Sequence, residues 1–421
     1  MQREIAATDT NCLSPARPGK RAARWATLAA ALLMMAAPAW ADDAAPLKIG
    51  VLTDMTGPYG DSAGMGSVTA AKLAVQDFGP TVLGRPIEII SADHQNLPDV
   101  ASGIARRWFD RDGVEMITDL TNSAVAIAVQ AIAREKHRID LVTSTATTAL
   151  TNKECSPYGV HWTFDSYALS AGTAGAVVAE GGKSWYFITA DYAFGANLEA
   201  IARRRIESAG GSVLGHVLAP LNTSDFSSQL LQAQASGATV IGLANSGADT
   251  ANSVKQAFEF GLGGNRTLAA FLPFITDIHA MGLQTAQGLI LTTAFYWDRT
   301  DATRAWSQRF FAERHAMPTM IQAGTYSAVL HYLRSVQDAG TTDAEAVMQT
   351  MRRRPVHDAV FAAGEVRADG QMVHDMYLVR VKKPAASKGA WDLYDVVRTI
   401  PGRDAFAPLA DSTCPFVVGG R

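Results

Sequence analysis

From residue 47 onward two apolar patterns alternate. Continuous runs rich in β-branched residues and bounded by turn formers, LKIGVLT (47–53), PIEIISA (86–92), VEMIT (114–118) and IDLVTST (139–145), are each followed by an amphipathic stretch. Runs of that length read as strands covered on both faces, and their alternation with helices predicts a parallel sheet. The pattern then restarts at KSWYFITAD (183–191) and runs through GSVLGHV (211–217), ATVIGLAN (238–245), LAAFLPF (268–274) and GLILTTA (288–294). Both sets open alike, with VLTDMTGPYG in the first and FITADYAFG in the second. The expected architecture is therefore α/β, with two Rossmann-like lobes meeting near HWTFDSYALS (161–170).

From Arg299 the rhythm becomes helical, with 3.6-residue periodicity in DATRAWSQRFFAERHA and IQAGTYSAVLHYLRSVQDA and a third helix in TDAEAVMQTMRRR. DMYLVRVKK and WDLYDVVRTI read as late strands around a hairpin loop. If the helices return to the first lobe before the last strands reach the second, several crossings form a hinge. On that reading lobe 1 is 42–163 with about 296–355, and lobe 2 is 164–295 with about 356–421.

The first 41 residues differ in kind. Arg17, Lys20, Arg21 and Arg24 precede an apolar run from Trp25 to Ala37, and Ala39-Trp40-Ala41 has the small residues a signal peptidase needs. Cleavage after Ala41 is expected, with a periplasmic protein as product. It removes five basic and two acidic residues, taking the formal charge from −3 to −6 (−3 − 5 + 2). A mildly acidic exported chain is a poor partner for nucleic acid. Cys12 leaves with the signal, so Cys155 and Cys414 remain, and in an oxidising compartment they are expected to pair. Two thiols do not make a metal centre, and no metal or cofactor is expected.

GDSAG (60–64) matches the G-x-S-x-G nucleophile elbow, with Ser62 as nucleophile. An elbow sits at a sharp turn directly between strand and helix. Here Asp54 to Asp61, including Pro58, intervene, so a serine hydrolase is the remote reading and no enzyme is expected. The glycines Gly57, Gly60, Gly64 and Gly66 fit neither dinucleotide nor P-loop spacing.

Ligands of open parallel sheets bind beyond the carboxyl ends of the strands. After the third strand come Thr121, Asn122 and Ser123, and after the fourth Ser144, Thr145, Thr147 and Thr148. Such residues cap ordinary helices, yet two neighbouring hydroxyl-rich helix starts also make an anion site from hydroxyls and free N–H groups. The other strand ends are aromatic: Tyr59, Tyr192, Phe194, Phe271 and Phe274. Together they predict a ring-lined cleft for a carboxylate.

Taken in order, IGVLTDMTGPYGDSAGMGSVTAAKLAVQDFG, DLTNSAVAIA, TSTATTALT, ITADYAFG and AQGLILTTAFY make the chain from Leu47 to about Arg398 resemble the type I periplasmic solute-binding proteins of the branched-chain amino-acid class. The resemblance implies a Venus-flytrap fold, a cleft ligand, and delivery to an ABC permease in the inner membrane, with the protein a monomer. It places the carboxylate loops on Thr121 to Ser123 and Ser144 to Thr147, and the second-lobe cleft loops on Tyr192 to Phe194 and on Asn245 and Ser246. Amino-acid binders of this class carry an acid near the fourth strand of the second lobe. This sequence has AAFLPF there, with Asp277 the only acid nearby. CSPYGVHWTFDSYALSAGT and the tail STCP resemble the subgroup that includes binders of aromatic carboxylates. An aromatic acid is the favoured ligand, with branched-chain amino acids and short amides or urea as alternatives. A sensor ectodomain of the same fold would need a membrane span and a signalling domain, and the mature sequence shows neither.

Overall fold

The structure, a computed structural model, describes residues 45–418; the signal segment, Cys12 and the cleavage point at Ala41 lie outside them. Strands β1 (Leu47–Thr53), β2 (Thr81–Val82), β3 (Arg85–Asp93), β4 (Val114–Asp119), β5 (Ile139–Val142) and β6 (Gly159–His161) form one sheet in the order β2-β3-β1-β4-β5-β6. All pairs are parallel except β2 with β3. Strands β7 (Ser184–Ala190), β8 (Ser212–Ala219), β9 (Val240–Ser246), β10 (Thr267–Leu272) and β11 (Ile290–Thr293) make the parallel part of a second sheet. After a small hairpin of β12 (Gly364–Val366) and β13 (Met372–His374), β14 (Met376–Val381) and β15 (Tyr394–Ile400) complete that sheet antiparallel, in the order β15-β14-β11-β10-β9-β7-β8.

β5 and β9 are buried at every residue, as strands covered on both faces by helices must be. Inside the second lobe Trp185, Phe187 and Phe271 pack ring against ring, with Phe187 and Phe271 at 5.9 Å. The late helices Asp301–Arg314 and Met320–Ala339 come back to the first sheet, where Arg309 and Tyr326 both bond Asp77 of the helix Gly64–Phe78. The second helix starts on a capping box, in which Thr319 and Gln322 satisfy each other's backbone N–H groups.

The chain passes between the lobes at 162–165, at 294–300 and again around 367–375. These passages are tied to one another: His161 N–H donates to the Gly370 carbonyl at 2.8 Å, and His374 Nε2 lies 2.9 Å from the Thr163 carbonyl oxygen. Burial in this hinge lowers the imidazoles of His161 and His374 to about 4. The sulfurs of Cys155 and Cys414 lie at bonding distance, 2.07 Å, so the tail is fastened beside the first sheet, where Thr413 N–H also bonds Asn152.

Candidate functional site

The carboxyl ends of β1, β4 and β5 face those of β7, β9 and β10 across a narrow cleft. In each sheet the cleft lies beside a strand from which the order runs both ways, β1 between β3 and β4, and β7 between β8 and β9. Loops diverge there and leave a crevice. The first lobe contributes Tyr59, Thr121, Asn122, Ser123, Ser144, Thr145 and Ala146. Tyr192, Phe194, Ser246, Leu272 and Phe274 come from the second, and Ile321 from the returning helix.

Three residues expected at the site stand elsewhere. Phe271 lies within β10 and points into the aromatic core, because the strand ends at Leu272 and it is Leu272 and Phe274 that reach the cleft. Asn245 turns away: its amide donates to Ser253 Oγ at 3.2 Å, and its carbonyl accepts from Thr250 Oγ1 at 2.8 Å, leaving Ser246 to face the cleft. Thr147 caps the short turn Thr148–Thr151 through the Ala149 N–H. Ala146, Leu272, Phe274 and Ile321 complete the wall. Apolar residues at strand and helix ends carry no polar signal, although the aromatic run LAAFLPF does mark Phe274.

The carboxylate side is built from two chain segments. Asn122 caps the helix Ser123–Glu135 by accepting the Ala124 N–H at 2.8 Å, and its own amide is held by Asn96 at 2.9 Å. Ser123 Oγ and Thr145 Oγ1 bond each other at 3.2 Å, so one hydroxyl proton of the pair stays free. Among the described residues no acceptor meets the N–H groups of Ser123, Thr145 and Ala146. Unmet N–H groups at a helix start suit an anion. Behind this wall sits Asp119, whose carboxyl is raised above its ordinary value because burial outweighs the lowering by the hydroxyls around it, Ser144 foremost.

Across the cleft mouth Tyr59 OH and Tyr192 OH lie 2.5 Å apart, a hydrogen bond between the two lobes. Burial raises the Tyr59 phenol to about 12 and pushes the Tyr192 phenol well above its ordinary value, so both are neutral at physiological pH. Tyr192→Phe removes this bond. It is expected to enlarge the radius of gyration of the ligand-free protein in small-angle scattering and to weaken ligand about tenfold.

No charged side chain lines the cleft among the described residues. Asp277 instead accepts the Phe274 N–H at 2.8 Å as part of a helix cap, and burial raises it to about 7. Ser62 is buried in the loop between β1 and its helix, where its hydroxyl donates to the Tyr59 carbonyl at 3.1 Å. The loop is clamped from the returning helix: Thr319 donates to the Ser62 carbonyl at 2.6 Å, and Gln322 donates to those of Asp61 and Ala63. Gly66 has no Cβ where the Gln322 amide packs, and Gly64 turns the chain at φ +46°.

The family model described as periplasmic binding protein matches residues 46–390. The chain belongs to the type I periplasmic binding proteins of the branched-chain amino-acid class. A periplasmic binding protein from Burkholderia mallei is 48% identical, with a TM-score of 0.86, covering 88% of this chain and 99% of that one. A branched-chain amino acid ABC transporter periplasmic ligand-binding protein from Burkholderia xenovorans is 42% identical, with a TM-score of 0.81, covering 88% and 100%. A solute-binding protein of R. palustris, solved in complex with benzoate, shares the fold at 19% identity and a TM-score of 0.78, covering 88% and 99%. As a periplasmic binding protein the chain is the extracytoplasmic substrate-binding component of an ABC transporter and not an enzyme, which ends the hydrolase reading of Ser62.

Proposed function

We propose that the cleft captures a small carboxylate with an aromatic body and hands it to an inner-membrane permease. The observation that carries this reading is the charge balance of the wall. Free N–H groups and a hydroxyl proton at Ser123, Thr145 and Ala146 await an anion, and no acidic side chain shares the cleft. An amino acid would bury its ammonium there without a counter-charge, at a cost of several kcal/mol. Tyr59, Tyr192, Phe194 and Phe274 offer ring surface for the ligand's body. The same fold houses benzoate in the R. palustris protein. The two lobes close on the ligand in a monomeric protein with no nucleic-acid partner.

The name of the 42% identical B. xenovorans protein favours a second reading, a branched-chain amino acid. Thermal-shift measurements with benzoate, cinnamate, leucine, valine, acetamide and urea separate the readings. Stabilisation by an aromatic acid and none by leucine is expected; the reverse overturns the proposal.

A further inference from the structure

Beneath the hydroxyl side of the cleft lies a carboxyl group that never reaches its surface. Asp119, the last residue of β4, is fully buried, and its Oδ1 accepts from Thr121 Oγ1 at 3.0 Å and from Ser144 Oγ. Those two hydroxyls belong to the cleft wall. The backbone supports the arrangement at a cost: Asp119, Leu120 and Asn122 are held at φ of 81°, 64° and 79°. Left-handed conformations in non-glycine residues are strained, and they persist where the surroundings over-determine them, commonly at binding sites.

A hydroxyl has one proton to give. With both hydroxyl protons turned inward to Asp119, the Oγ atoms of Thr121 and Ser144 show the cleft only lone pairs, while their backbone N–H groups, like those of Ser123, Thr145 and Ala146, meet no acceptor among the described residues. A proton on the carboxyl, when present, belongs on Oδ2, which has no partner among the described residues, and Oδ1 remains the acceptor. The adjacent hydroxyls differ, since those of Ser123 and Thr145 keep one proton free. The hydroxyls of the carboxylate side therefore divide into a pair with a proton to give and a pair that only accepts, next to each other.

We propose that Asp119 sets the specificity of the cleft: by fixing Thr121 and Ser144 as acceptors, it selects an aromatic acid with a hydroxyl beside its carboxylate, on the α-carbon or the ortho ring position. The inference rests on the aromatic-acid reading and narrows it. A neutral hydroxyl is favoured over an ammonium because the wall separates any ligand from the Asp119 charge.

The test is calorimetric titration at neutral pH with two matched pairs, mandelate against phenylacetate and salicylate against benzoate. Wild type is expected to bind the hydroxylated member of at least one pair about tenfold more tightly, the worth of one neutral hydrogen bond. Thr121→Val removes that preference by weakening the hydroxylated member about tenfold, and a melting temperature of the ligand-free variant within a few degrees of wild type shows that it is folded. Asp119→Ala, which removes the shared acceptor and frees both hydroxyl protons to turn toward the cleft, narrows or reverses the preference. Equal affinities within both pairs in wild type overturn the role of Asp119 and leave the aromatic-acid reading standing. A loss of both members of a pair in Thr121→Val also overturns it, because the hydroxyl would then be donating to the carboxylate. Binding of leucine with no response to any of the four acids removes the aromatic-acid reading, and this inference with it.

Discussion

Replacing Ser123 by Ala together with Thr145 by Val is expected to raise the dissociation constant for an aromatic carboxylate by roughly 10–100-fold, as read by calorimetric titration. The two hydroxyls bond each other at 3.2 Å, so exactly one proton of the pair is available to a ligand oxygen. A hydrogen bond to a charged group contributes roughly 1.5–3 kcal/mol, and each 1.4 kcal/mol is about tenfold in affinity. The N–H groups of Ser123, Thr145 and Ala146 survive the substitution, so binding weakens without vanishing. Removing both members of a bonded pair leaves neither stranded, and the melting temperature of the ligand-free protein should stay within a few degrees. An unchanged dissociation constant would place the carboxylate elsewhere in the cleft.

Replacing Cys155 and Cys414 by Ser is expected to lower the stability of the protein by about 3–5 kcal/mol, measured as an earlier midpoint in urea. The two residues are separated by 259 positions, and cross-linking so long a loop removes much of the entropy of the unfolded chain. Both cysteines are buried, so the new hydroxyls would also need partners. The tail keeps its bonds from Ser412 to the Thr151 carbonyl and from Thr413 to Asn152, which limits the loss. Neither cysteine borders the cleft, and ligand affinity should be preserved. An unmoved midpoint would mean that the tail is held by those polar contacts alone.

The alternation of strand and helix, its restart near Lys183 and the late return to helices are legible because hydrophobic periodicity is a local property, set by which faces of one element are covered. The hydroxyl-rich segments at Thr121–Ser123 and Ser144–Thr145 are legible for a similar reason: a residue type that satisfies or offers hydrogen bonds at a helix start is visible within a few positions. The choice between neighbours is not. Ser246 faces the cleft and Asn245 does not, and Phe274 faces it where Phe271 is core, because β9 and β10 end at one residue and not the next. Strand ends depend on pairing with other strands, which periodicity does not record.

GDSAG shows where the division falls. The sequence by itself determined that Ser62 follows Asp54 to Asp61 in a loop too long for an elbow, and that glycines let the chain turn there. Only the tertiary structure decided what holds the loop: Thr319, 257 residues further on, bonds the Ser62 carbonyl, and Gln322 fills the space that Gly66 leaves. Local pattern dictates conformation over a few residues. Contacts between residues hundreds of positions apart are set by the packing of whole elements, and so is the burial of Asp119, which the pairing of β4 with β5 places behind the cleft.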